Sequence, residues 1–161
     1  GNLIAAAAGA VARRGGPEAH AVRSVMVDQP MLDPAMDSDS YTENADARVA
    51  PVPWLAWCWE HYLRDFPGGV QAARGDARVC PHLHAPPAAD GHCPPQIVVT
   101  ALGDPLRDEG RHYASAMREA GAEVAHVEAR GSHALALMFD KAKKEEVCRM
   151  WAGLISEGKP V

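Results

Sequence analysis

No apolar run in this chain approaches the length of a membrane span, and no signal peptide is visible within it. Positive charge is in short supply. The formal net charge is -5, which gives no reason to expect a nucleic acid or an anionic membrane as partner. Cys58, Cys80, Cys93 and Cys148 follow no disulfide-framework spacing, so reduced thiols in the cytoplasm are the expectation. Aromatic side chains are few, at 6% of the chain, which makes the run of Trp54, Trp57 and Tyr62 conspicuous. Present in ordinary measure are the apolar share of 47% and the charged share of 23%, enough in 161 residues for one globular domain with a sizeable core.

The stretch from Ile97 to Gly110 organises the rest. Ile97, Val98 and Val99 form the β-branched run of a buried parallel strand, and the turn dipeptide Asp104-Pro105 stops it. Asp108 and Glu109 stand where the first turn of a helix favours negative charge. That helix puts Tyr113, Ala116, Met117 and Ala120 on one face, with Arg118 near its end and Gly121 as its stop. Two more strands are expected, one over 22–27 around Val25, Met26 and Val27, and one over 123–128 around Val124 and Val127. Leu3 to Arg14 reads as an alanine-rich helix ended by Gly15, Gly16 and Pro17. Lys141 to Glu157 reads as a closing helix with Val147, Met150, Trp151, Leu154 and Ile155 turned to the sheet, and 37–46 reads as solvated loop. The alternation describes an α/β chain, a mostly parallel sheet with helices on both faces.

Trp54, Trp57, Cys58, His61 and Tyr62 recur at helical spacing, a pattern that favours core packing over a substrate box. Cys80, His82, His84, His92 and Cys93 are of the types that bind zinc. The alternating positions share a face only in an extended chain, and no second matching pair follows, so a metal site is set aside.

Asp104 lies at the carboxyl end of its strand, where open α/β sheets gather their chemistry. His133 leaves the next strand after about one ~30-residue crossover unit, which brings both residues to one edge of the sheet. The string Asp104-Pro105-Leu106-Arg107-Asp108-Glu109-Gly110 resembles the catalytic-acid motif of the hormone-sensitive-lipase-like carboxylesterases, a branch of the α/β-hydrolases. Gly1-Asn2 is similar to the last two positions of that family's nucleophile elbow, Gly-Asp-Ser-Ala-Gly-Gly-Asn, and Gln29-Pro30-Met31-Leu32-Asp33 to its Tyr-Pro-x-Leu-Asp. Ser24, Ser38, Ser40, Ser115, Ser132 and Ser156 all lack the flanking glycines of an elbow.

The resemblance implies that residues 1–161 are the C-terminal part of one α/β-hydrolase domain, with the nucleophilic serine and the oxyanion-hole His-Gly-Gly-Gly ahead of Gly1. It makes Asp104 the orienting acid and His133 the general base of a Ser, Asp, His order. Trp57 and Leu32 become candidates for the substrate pocket. The implied partner is a small-molecule ester of short to medium acyl chain, with no cofactor and no metal, and the chain alone is expected to be inactive. Two positions depart from the family: Gly103 stands where a bulky or acidic residue is common, and Ala134-Leu135 follow the histidine in place of Gly-Phe. Asp108, one turn on, competes for the acid's role but fits a helix start better. Two other readings remain, a non-catalytic binding relative resembling the plant gibberellin receptors and an inactive truncated product.

Overall fold

A computed structural model describes residues 1–85 and 92–157. Three strands form a parallel sheet in the order β1 (Val25–Asp28), β2 (Gln96–Ala101), β3 (Val124–Ala129). Val25 pairs with Gln96 and Gln96 with Val124, so the three strands start level; β2 and β3 also end level, at Ala101 and Ala129, while β1 ends opposite Val99. β2 is buried along its whole length, as its β-branched run requires of a central strand covered on both faces.

Alternate side chains carry the two faces. Val25, Val27 and Val98 meet Ala5 and Ala8 of α1 (Asn2–Arg14) and Tyr113, Ala114 and Met117 of α6 (Arg107–Glu119). Ile97, Val99 and Val127 meet Val147 and Leu154 of α8 (Lys141–Glu157) on the other. Each large aliphatic side chain buried in this way contributes roughly 1.5–3 kcal/mol. Tyr113, fully buried, donates its hydroxyl hydrogen to Gln96 Oε1 at 2.8 Å, so its polar tip has a partner inside the apolar layer.

Between the strands lie α2 (Gly16–Ala21), α3 (Asp39–Glu43), α4 (Val52–Tyr62), α5 (Gly69–Arg74), a 3-10 turn (Pro81–His84) and α7 (Ala136–Phe139). One expectation holds here, since α1 ends at Arg14 with Gly15 as its cap, and one changes. Gly15, at φ 63, turns the chain from α1 straight into α2, with Pro17 in the first turn, where a missing N–H costs nothing. The polar stretch 37–46 holds α3, whose Ser40 and Tyr41 are buried against the head of α6. Among the described residues no helix is long and apolar enough to cross a membrane.

The zinc-type residues face separate surroundings. Cys80 is fully buried beside Trp59 and Val79, and burial pushes its thiol up to about 12. His84 Nε2 donates to the Arg74 carbonyl at 2.9 Å, and His92 stacks on His20. Among the described residues no three His, Cys, Asp or Glu side chains gather as a metal ion requires. Most of the proline- and alanine-rich stretch after His84 lies outside the described residues.

His82 is buried 3.7 Å from Asp33, and its Nδ1 has no hydrogen-bond partner among the described residues. Burial lowers its pKa from 6.5 to about 4, outweighing the attraction of Asp33. The unfolded chain therefore takes up a proton between these values that the folded chain refuses. The stability is present above pH 6.5 and lost as pH falls toward 4, by up to roughly 3 kcal/mol. Urea unfolding at pH 7 and pH 4.5 is expected to show this loss in the parent and a shallower one in His82→Gln. Equal losses in the two proteins would remove His82 as the cause.

Candidate active site

β2 ends at Ala101, and the chain reaches Asp104 through Leu102 and Gly103. β3 ends at Ala129, and its loop carries His133. The two loops approach closely: Gly103 N–H donates to the Gly131 carbonyl at 2.8 Å. A Cβ on Gly103 would stand 3.1 Å from that carbonyl oxygen, so glycine replaces the family's bulkier residue where the loops touch.

Asp104 is fully buried. Its Oδ1 accepts the Leu106 N–H at 3.0 Å, a local turn that aims the second oxygen away from the helix. Oδ2 lies 2.9 Å from His133 Nδ1. A carboxylate only accepts, so the imidazole proton sits on Nδ1 and the lone pair on Nε2. His133 is partly exposed, at 23% of its side chain, and lines a groove of about 630 Å³.

The opposite wall of the groove is the head of α1. Gly1 lines it, and a Cβ there would overlap Pro30 Cα, so no side chain fits. Asn2 Nδ2 donates to the carbonyls of Met31 at 3.1 Å and Val79 at 2.8 Å, tying α1 to the loop after β1. Gln29 adds one further polar side chain, and the rest of the lining is mostly apolar, with Met31, Trp54, Cys58, Tyr62 and Leu106 among it. An apolar groove with one histidine nitrogen and few other polar groups suits a small, weakly polar ligand.

Both pocket candidates fall elsewhere. Leu32 is fully buried in the core with Val27 and Tyr113. Trp57 stacks on His61, 4.0 Å between ring centroids, and is not among the residues that line the groove. The helical period fits α4, but it does not say which side turns inward: Leu55 and Trp59 are buried, while half-exposed Trp54 and Tyr62 line the groove with Cys58.

Asp108 stands in the first turn of α6, turned from His133 to other partners. It accepts from Ser40 N–H at 2.9 Å and from the guanidiniums of Arg107 and Arg111, each at 2.9 Å. Burial alone would raise its carboxyl, but these donors together hold it below the usual range. Arg111 also pairs with Glu128 of β3, and Arg107 with Glu43 of α3, at 2.8 Å. Asp108 is thus the centre of a bracket that joins α3, α6 and β3.

Of the matching family models, one described as the alpha/beta hydrolase fold covers residues 1–137. The chain belongs to that family. This α/β-hydrolase chain is of the hormone-sensitive-lipase-like carboxylesterase branch, whose acid motif the string from Asp104 to Gly110 resembles. Among solved structures it is similar to a serine-to-alanine mutant of esterase rPPE complexed with (S)-Ac-CPA, at 27% identity and a TM-score of 0.78, over 99% of this chain and 49% of that one. A thermostable esterase from Pseudomonas putida ECU1011 matches at 28% identity and 0.70, over 98% and 46%. The esterase of Pyrobaculum calidifontis shares the fold, at 23% identity and 0.74, over 96% and 49%. The α/β-hydrolase chain therefore spans about half the length of the structures it matches. No curated protein matches it.

Ala134, the second departure from the family, adopts φ 61. This left-handed conformation costs an L-residue roughly 1–2 kcal/mol and glycine almost nothing. The larger freedom of glycine in the unfolded chain takes back about 0.5–1 kcal/mol. Ala134→Gly is expected to stabilise by up to about 1 kcal/mol, read as a higher urea midpoint. A lower midpoint would mean that the alanine methyl contributes more than its backbone strain costs.

Proposed function

We propose that this chain supplies the acid and the base of a serine carboxylesterase acting on short to medium acyl esters. The observation that carries the reading is the 2.9 Å bond between buried Asp104 and His133 Nδ1, at the mouth of an apolar groove that also takes in Gly1. The nucleophile belongs to the residues ahead of Gly1, in the elbow that leads into α1. His133 Nε2 takes the serine proton as the serine oxygen bonds to the ester carbonyl carbon. The same proton passes to the departing alcohol as the ester C–O bond breaks. Water, deprotonated by Nε2, then attacks the acyl-enzyme, releases the acid and returns the serine its proton. Asp104 stays ionised throughout and stabilises the imidazolium. Four free cysteines fit a reducing compartment, which supports a cytoplasmic site of action.

The test uses the protein that carries the residues preceding Gly1, with a short-chain nitrophenyl ester as substrate. Turnover that collapses in His133→Ala is expected, together with labelling of a serine by a fluorophosphonate. Full turnover in His133→Ala would overturn the assignment of the base. Ester binding without turnover or labelling would favour the non-catalytic relative.

A further inference from the structure

We propose that Gln29 is a positioning residue for the base, holding the backbone of the His133 loop while Asp104 holds the ring; this rests on the esterase reading above. Gln29 follows β1 directly, and its own N–H is fixed to β2 through the Val99 carbonyl at 2.9 Å. Its side chain reaches across the carboxyl edge of the sheet, and Oε1 accepts the N–H of Ala134 at 2.5 Å. The amide orientation follows from the donor: an N–H requires the carbonyl oxygen of Gln29, and its NH2 cannot serve.

The bond falls on the peptide that joins His133 to Ala134. Fixing that peptide fixes the backbone torsion that aims the imidazole, and the Asp104 bond fixes the ring's rotation. Neither bond does both. Both residues of the pair are strained: Gln29 has φ 43 and Ala134 φ 61, and neither is glycine. Such conformations persist where surrounding structure over-determines them, and they concentrate at functional sites. Gln29 is buried and borders the same groove as His133. A glutamine also departs from the family's Tyr-Pro-x-Leu-Asp loop, so the clamp uses a side chain particular to this chain.

The experiment compares Gln29→Leu, Gln29→Glu and His133→Ala with the parent, each in the protein carrying the residues ahead of Gly1. Leu keeps the approximate size and removes the acceptor, whereas Glu keeps an acceptor for Ala134. Misplacing a catalytic group by about 1 Å costs roughly a hundredfold in rate, so Gln29→Leu is expected to lower kcat by roughly 10- to 100-fold with KM nearly unchanged. Gln29→Glu is expected to restore most of the turnover. The downfield proton resonance of the Nδ1–H bonded to Asp104 should shift or broaden in Gln29→Leu and return in Gln29→Glu.

If Gln29→Leu keeps the parental kcat, or changes KM alone, the inference is overturned. It is also overturned if Gln29→Glu is as slow as Gln29→Leu, because loss of packing would then explain both. Parental turnover in His133→Ala would instead overturn the esterase reading, a separate outcome.

Discussion

On the proposed esterase reading, Asp104→Asn is expected to lower kcat by about four orders of magnitude in a protein that also carries the nucleophile, the size of the tautomer penalty in Ser-His-Asp sites. The substitution leaves the shape intact. Asn Oδ1 still accepts the Leu106 N–H, the bond that orients the wild-type side chain. The other end then presents an NH2 to His133 Nδ1, 2.9 Å away in the parent. Two donors cannot pair, so Nδ1 must become the acceptor and the proton moves to Nε2. An Nε2 that already carries a proton cannot take one from the serine. His133→Ala is expected to do comparable damage, and the double variant to add little, because members of such a site act as a unit.

Asp108→Asn provides the contrast. The His133 ring bonds Asp104, whereas Asp108 bonds Ser40, Arg107 and Arg111. Its loss should leave kcat near the parental value and cost roughly 1–3 kcal/mol of stability. Hydrolysis of a short-chain nitrophenyl ester by the four variants decides the matter. Near-parental turnover in Asp104→Asn with loss in Asp108→Asn would exchange the two assignments.

The parts of this architecture that rest on local pattern are legible in the amino-acid sequence. β2 follows from three consecutive β-branched residues, and α6 from a helical stripe with acids at its head and glycine at its end. The meeting of Asp104 and His133 follows from one strand–helix–strand spacing, because parallel strands one crossover apart end at the same edge. What the pattern leaves open is which of two equivalent-looking residues is buried. Asp108 and Glu109 read alike as first-turn acids, yet only Glu109 loses nearly all its contact with water. Trp57 and Trp59 both fit α4, and the choice between them depends on what packs beneath the helix. Gln29 gives no signal beyond replacing a tyrosine, because its partner lies 105 residues away.

Glu109→Leu is expected to be the most damaging single change to stability away from the apolar core, on the order of 4 kcal/mol. Glu109 joins three segments in the interior. Its Oε2 accepts the N–H groups of Leu32 and Asp33, and its Oε1 accepts the Tyr41 hydroxyl at 2.6 Å. Leucine would leave all three donors buried without an acceptor. It would also free the loop that bears Pro30 and Met31, beside Gly1 and the groove. Glu109→Gln should be far milder, because its oxygen can face the two backbone donors while its NH2 donates to the Tyr41 oxygen. The pH dependence separates the two effects. Burial pushes the Glu109 carboxyl up to about 8 from 4.5, against the pull of its three donors. A raised pKa means that the folded chain holds a proton the unfolded chain releases. The resulting stability is present below pH 4.5 and lost as pH rises toward 8. Glutamine cannot ionise, so the gap between Glu109→Gln and the parent should move in the variant's favour from pH 5 to pH 8.5. Urea unfolding of the parent and both variants at these two pH values measures it. If Glu109→Leu unfolded at the parental midpoint, the three bonds would contribute nothing net; if the Gln–parent gap stayed constant, the carboxyl would not titrate in this window.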